Sequence, residues 1–508
     1  QVRSRLKRSI RNLVEREVLL NRIEQERNNI EILNEIGHAL SAHTDRASLL
    51  DSVLTHARNV LRSDGGSIYL VDKNKIRFIC SQNDTIPFRA SRMELPLDDS
   101  SLAGYVAVQG KSLNISDAYH IPKDAAFRPN FTFDEETGYR TRSMLLVPMN
   151  DREGEVIGVL ALVNRKSQAG VALTDFDRIE PFTDQHSELA RSIASQAAVA
   201  IENYRLYKDI RELFSGFVTA AVTAIEARDP STGGHSHRVA SLTTELAKAV
   251  DATSDGPFND VKFNARDQRE LHYASMLHDF GKVGVREQVL LKAEKLYDWE
   301  MNRIEARFRL ATMQVMLETI REQAAMVHAD DQLKKLKRDL GIIRRLNRPT
   351  IRPEPVEIAE LERIRQEWHL PDRDEPLLDP RELKRLCIPI GSLDPEERRE
   401  IEMHVTHTYN FLKVIPWTRD LQRVPDLAFA HHEKLNGSGY PRGLTQTEIP
   451  LGSQLMAIGD IFDALTANDR PYKAALSVKR ALDILRFESE EGKLNTDAVE
   501  LFSRQEVW

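Results

Sequence analysis

Cysteine is nearly missing from this sequence: 508 residues include only Cys80 and Cys387, far apart and in no CxxC pattern. That excludes a disulfide framework and suits a reducing, cytoplasmic setting. No apolar run approaches the roughly 18 residues that a membrane span needs. An excess of positive charge is missing as well. With 71 Lys and Arg against 78 Asp and Glu, the net charge is -7. This argues against a nucleic-acid binder working through a broad basic face, although cations can still cluster at an anionic substrate. A starting methionine is also lacking, and the chain opens at Gln1 without a signal peptide. It therefore reads as a fragment, whose upstream part is free to hold anything, a membrane segment included. What is there is ordinary for a soluble chain: 41% hydrophobic and 29% charged residues, enough for sizeable cores and a length of about three units.

The first 40 residues are charged and free of glycine and proline until Gly37. Leu6, Ile10, Leu13, Leu20, Ile23, Ile30, Leu33, Ile36 and Leu40 form a patchy heptad seam, broken at Glu17 and Arg27. This predicts a coiled-coil helix over 1–40 that pairs two protomers, with an amphipathic helix lying on its own domain as the alternative. From Ser48 a helical pattern leads into alternating or apolar runs that predict strands: GGSIYLVD, IRFICSQ, RMELPL, SLNIS, RSMLLVPMND and GEVIGVLALVN, with DREGE as a hairpin turn. Together they predict an α+β domain, one antiparallel sheet with helices at its ends, over 41–184. A near-heptad run from Leu189 to Ala224 predicts a long helix, a signalling linker over 185–225 able to pair two protomers.

Beyond Glu226, imidazoles and carboxylates collect. His235 precedes a helix, and LHYASMLHDFGKVG places His278 and Asp279 near a helix end with Lys282 just past it. His404 lies in EIEMHVTHTYNFL, His431 and His432 open HHEKLNGSGYPRG, and Asp460 and Asp463 lie in LMAIGDIFDALTANDRPYK. A lone helical histidine is more often packed or solvated than a ligand. Five imidazoles and the carboxylates of Asp279 and Asp460, on helices otherwise rich in core residues, are about what two transition metals need, one carboxylate bridging.

Two resemblances follow from these stretches. SLAGYVAVQGKSLNISDA, TGYRTRSMLLVPM and GEVIGVLALVNR, in that order, resemble a GAF domain, which implies a small-molecule sensor with an unknown ligand or a ligand-free dimerising module. Asn164, Arg165 and Phe182 partly match the signature of the cyclic-nucleotide-binding members, but His186-Ser187 stands where those have Asp-Glu. Cys80 is a position for a chromophore in principle and reads as a buried strand cysteine.

His235, His278-Asp279 with Lys282, His404, His431-His432, Gly439-Tyr440-Pro441 and Asp460 ahead of RPYK resemble the HD-GYP family of phosphohydrolases. The resemblance implies an all-α domain over 226–508 that hydrolyses cyclic di-GMP, or another cyclic dinucleotide, to pGpG or GMP. A non-catalytic cyclic-dinucleotide receptor is the alternative. The resemblance also implies His235, His278, Asp279 and Asp460 around one metal, and Asp279, His404, His431 and His432 around the other. Imidazole-rich sites suit iron or manganese over magnesium or calcium. Some members hold a third metal through a glutamate; that position is Ser231 here, which favours two. Lys282 would meet the developing oxyanion, and Arg470 and Lys473 would hold the second phosphate. Tyr440 would hydrogen-bond a phosphate or stack on a guanine. Asp463, one turn beyond Asp460, is placed to partner a ligand. His237 and His407 read as solvated, and Asn436 as a turn residue. The departure from the family is an insertion over 297–395, long enough for a small domain. It reads as a helical arm that covers the site, binds a protein partner or extends the dimer.

Overall fold

The computed structural model describes residues 46–86, 94–122, 124–229, 233–254, 256–322, 326–370, 375–467 and 475–508. The coiled-coil segment expected over 1–40 lies outside them. The chain divides into two compact units at Leu213/Phe214.

In the first unit six strands form one antiparallel sheet in the order β3-β2-β1-β6-β5-β4. They are β1 Ser63–Asp72, β2 Lys75–Asn83, β3 Glu94–Pro96, β4 Leu113–Ile115, β5 Met144–Asn150 and β6 Val156–Arg165. Both faces are apolar because successive side chains point to opposite sides. Leu160 and Leu162 of β6 join Leu145 and Val147 of β5 against the helix Arg46–Leu61 and Ala190, Ile193 and Ala197 of the helix Asp184–Arg228. Val159 and Ala161 face the other way, onto Leu102 and Val106 of the helix Leu102–Gln109. The partial cyclic-nucleotide signature serves the fold. Asn164 is buried at a φ of 56°. Its Oδ1 accepts from the amide of Arg142 at 2.7 Å and its Nδ2 donates to the carbonyl of Arg140 at 2.9 Å. Phe182 is buried in the core. Cys80 is half-buried on β2, between the buried and ligand-exposed settings considered for it.

The helix Asp184–Arg228 carries the division between the units inside it. Its later residues Val218 and Val222 belong to the core of the second unit, with Val239, Leu271, Leu427 and Leu455. Among the described residues of this unit the named elements are all helices. The inserted segment has a core of its own, where Ile304, Phe308, Leu336, Ile343, Leu361 and Leu378 are buried together. The helices Asp298–Glu322 and Met326–Leu346 run side by side, Arg344 near the end of one pairing with Glu305 near the start of the other at 2.7 Å, which makes them antiparallel. Within the stretch read as a helical arm, the described residues thus include two helices. Lys295, fully buried, staples the root by donating to the carbonyls of Ile351 at 2.8 Å and Leu386 at 3.3 Å.

Candidate metal centre

Five helices of the second unit bring the site together. His235 opens the helix His235–Asp251, and His278 caps the C-terminus of Ala265–Leu277, with Asp279 next. His404 lies within Pro395–Leu412, His431 and His432 follow Val424–Phe429, and Asp460 lies within Leu451–Thr466. Gly281 shows how tightly the His278-Asp279 loop meets the helix of His404. A Cβ there would lie 1.9 Å from the carbonyl oxygen of His404. The gap is closed by a hydroxyl: Thr408 Oγ1 accepts from the amide of Gly281 at 2.7 Å and donates to the carbonyl of His278 at 3.0 Å. A second glycine shapes the loop after the paired histidines. At Gly439 a Cβ would lie 2.3 Å from the amide nitrogen of Lys434. The buried carboxylate of Glu433 organises the same loop, accepting from the amides of Arg442 at 2.8 Å and Leu444 at 2.9 Å.

Three imidazoles are held in one way. The Nδ1–H of His278, His404 and His431 donates to the carbonyl three residues earlier, of Ser275 at 2.6 Å, Ile401 at 2.5 Å and Ala428 at 2.6 Å. That bond fixes the tautomer in which Nε2 is a bare lone pair. All three Nε2 atoms are buried and meet no hydrogen-bond donor; Asp279 Oδ1, 3.2 Å from His404 Nε2, is itself an acceptor. Orphaned buried polar atoms are rare and call for an explanation such as an ion. The donors that could answer it converge. His404, His431 and His432 present ligand atoms within 4.8 Å of one another, as do His235, His278 and Asp279, and His278, His431 and Asp460.

The carboxylates lie between these groups. Asp279 Oδ1 is 3.2 Å from His404 Nε2, while its Oδ2 is 3.6 Å from His278 Nε2 and 3.8 Å from His235 Nε2. Asp460 Oδ1 faces His235 Nε2 at 3.2 Å and its Oδ2 faces His432 Nδ1 at 3.9 Å. Burial pushes the imidazoles of His278 and His431 down, and burial likewise takes His432 to about 3, so all three stay neutral donors. His235 differs. Burial lowers it too, but hydrogen bonds to Asp460 and Asp463 outweigh that and lift it to about 9. Burial would raise Asp279 and Asp460; the charge of Lys282 and the neighbouring imidazoles hold the first well below the usual carboxylate range, and His235 and His278 do so for the second.

Around this centre, Asp463 Oδ2 lies 2.7 Å from His235 Nδ1, and Arg238 donates to Asp463 Oδ1 at 2.6 Å. Lys282 Nζ is 2.8 Å from Asp279 Oδ2. The Tyr440 ring lies 4.8 Å from that of His432. Its hydroxyl is pushed above the ordinary phenol range, by burial first and then by Asp460 and Asp279, so it remains a donor. Arg470, Lys473 and Ser231 lie outside the described residues. His237 is exposed, whereas His407 is half-buried rather than solvated, with its ring against Gly284. Sequence reasoning passed over Thr408, Glu433 and Asp229, whose carboxylate lies 3.3 Å from Lys282 Nζ. Glu433 had a signal, standing beside the paired histidines. Thr408 had none, since its role is set by a helix 127 residues from Gly281.

The GAF domain family profile matches residues 45–201, and the HD domain profile matches residues 378–497. The chain carries a GAF domain and an HD domain. The HD match takes in His404, His431, His432 and Asp460, and the fold adds His235, His278 and Asp279 from before the insertion. An HD domain implies a divalent metal, and the buried donor set fits one. Among curated relatives, the 3'3'-cGAMP-specific phosphodiesterase 3 of Vibrio cholerae is 43% identical over 95 residues, 19% of this chain and 20% of the relative. The cyclic di-GMP phosphodiesterase of Thermotoga maritima is 37% identical over 123 residues, 24% of this chain and 32% of the relative. The matched stretches thus span about a fifth to a third of those relatives. Among solved structures, a GAF domain/HD domain protein from Geobacter sulfurreducens is 20% identical, covering 33% of this chain and 98% of that chain with a TM-score of 0.25. The GAF domain of a Coxiella burnetii phosphoenolpyruvate-protein phosphotransferase is 19% identical, covering 36% of this chain and 97% of that chain with a TM-score of 0.29. Among the described residues no helix is long and apolar enough to cross a membrane.

Proposed function

We propose that this protein is a metal-dependent phosphodiesterase that hydrolyses cyclic di-GMP to pGpG or GMP under the control of its GAF domain. The observation that carries this reading is the set of three buried Nε2 lone pairs without a hydrogen-bond donor, facing two buried carboxylates. A pure dinucleotide receptor has no need of them. In this reading His235, His278, Asp279 and Asp460 hold one ion and Asp279, His404, His431 and His432 the other, iron or manganese by donor type. The placement of Asp279, with one oxygen toward His404 and the other toward His278 and His235, supports its bridging role. Divalent ions in such a pair supply Lewis acidity and lower the pKa of water.

The chain's own residues do the rest. Lys282 brings a positive charge beside Asp279, where a phosphoryl oxygen gains charge during displacement. Tyr440, a neutral phenol beside His432, walls the substrate and donates to a phosphate oxygen or stacks on a base. Arg470 and Lys473 hold the second phosphate. Two protomers pair through the signalling helix, the GAF domain takes a small ligand, and the insertion serves as a partner surface.

The test is direct. Manganese- or iron-loaded protein is incubated with cyclic di-GMP, and separately with 3'3'-cGAMP, since relatives named for each nucleotide match this chain. Products are separated by chromatography. We expect linear pGpG or GMP from the first at a higher rate than cleavage of the second, and no turnover by Asp279→Ala. Binding without turnover in several metal states, with the site shown to be full, would leave the receptor reading. Faster cleavage of 3'3'-cGAMP would reassign the substrate.

A further inference from the structure

We propose that Asp229 is a positioning residue that holds Lys282 back from Asp279, and that the last turn of the long helix sets this balance. The inference rests on the reading of the site as a metal centre. Lys282 Nζ sits between two carboxylates, 2.8 Å from Asp279 Oδ2 and 3.3 Å from Asp229 Oδ2. Asp279 has one oxygen facing His404 and the other facing His278. An ammonium bonded to one of those oxygens competes with a cation for it. A second carboxylate takes a share of the ammonium's three protons and so weakens that competition. Charge acts in the same direction. Asp229, Lys282 and Asp279 together are anionic, whereas Lys282 and Asp279 alone are neutral and draw a dication less. Asp229 is 5% exposed, so solvent screens little of this.

The position of Asp229 is fixed from the helix side. It follows directly on Asp184–Arg228, its amide donating to the carbonyl of Ile225 at 3.2 Å. Arg228 donates to the carbonyls of Val283 and, at 2.8 Å, Val285, just past Lys282. Glu226 accepts from the amides of Gly234 at 2.8 Å and Ser236 at 3.2 Å, on either side of His235. One turn therefore grips both segments that flank the centre, His235 on one side and Lys282 on the other. A displacement of the helix end tips Lys282 toward Asp229 or toward Asp279, and metal affinity follows.

The experiment is a titration of the chelator-stripped 508-residue chain with Mn²⁺ alone, free ion being read by electron paramagnetic resonance. Wild type, Asp229→Asn, Lys282→Met and the double variant are compared. Outer partners of ligands typically contribute 10–100-fold to metal affinity. Asp229→Asn is therefore expected to weaken Mn²⁺ binding by about tenfold, and adding Lys282→Met to restore it to within about threefold of wild type, because the competing ammonium is gone. Unchanged affinity in Asp229→Asn overturns the proposal. So does a double variant as weak as Asp229→Asn, which would mean that Asp229 acts through folding alone. Absence of Mn²⁺ binding by wild type removes the metal reading itself.

Discussion

At the scale of single residues, one side-chain type takes several roles according to what its ring nitrogens meet. His278, His404 and His431 each bond the carbonyl three residues earlier, a local geometry that any helix end or helix can supply. What makes them a candidate site is that their other nitrogens are buried together and meet no hydrogen-bond donor. His237 and His407, two and three residues from members of the set, meet solvent and Gly284 instead. Cys80 shows the same dependence on surroundings. Burial, with the charge of Asp51 adding to it, pushes its thiol up to about 12 against a smaller opposing hydrogen bond from Ile68. The thiolate is the reactive form, and a raised pKa means that its fraction keeps growing until the pH approaches that value. In a Cys387→Ser background, alkylation of Cys80 in the folded protein should still rise about tenfold per pH unit between pH 8 and 10. The unfolded chain should level off near its ordinary value of about 8.5. A folded-state rate that plateaus by pH 9 would contradict the assigned environment.

At the scale of elements, the long helix does two jobs along its length. Its first turns and its last turns are buried in different cores. Between them Leu206, Ile210, Leu213 and Phe217 are exposed at spacings of four, three and four, the repeat of a coiled-coil seam. Exposed apolar stripes of this kind mark association faces. We expect the full chain to be dimeric by light scattering and the Ile210→Glu, Leu213→Glu variant to be monomeric. A wild type that stays monomeric across micromolar concentrations would end the pairing proposal. The inserted segment was legible as helical from its composition, and the proline-rich breaks within it mark helix starts, since proline starts a helix well and continues one poorly. Pro355, Pro380 and Pro395 each open a helix. That the first two of these helices share a core with Leu377 and Leu378 was not legible, because such a core is defined by contacts between distant stretches.

At the scale of the whole molecule, the division at Leu213/Phe214 makes a prediction about which fragment is self-sufficient. Residues 214–508 keep Val218 and Val222 in the core and Glu226, Arg228 and Asp229 at the centre. A protein of residues 230–508 loses all of them. The first is expected to fold cooperatively and to bind metal like the full chain. The second should be less stable to unfolding, by on the order of several kcal/mol for two buried valines, and retain less than half of the metal by elemental analysis. Equal behaviour of the two fragments would show that the helix end plays no part in the centre.

The sequence by itself determined the parts that depend on near neighbours. Alternation in β1, β5 and β6 wrote both faces of the sheet into short stretches, because a strand's side chains take turns by position alone. The histidines, Asp279 and Asp460 were legible as candidate ligands only as a group, since one such residue is commonly packed or solvated whereas seven on core-rich helices match what two metal ions need. The tertiary structure decided their grouping. Only packing could bring His235 and His278 across the insertion to His404 and His431, make Gly281 and Thr408 the weld between two helices, and set Asp229 against Lys282. These contacts join stretches tens to more than a hundred residues apart. No local pattern records them, because the free energy that selects them comes from burial and partner geometry, and both arise only when the chain has folded.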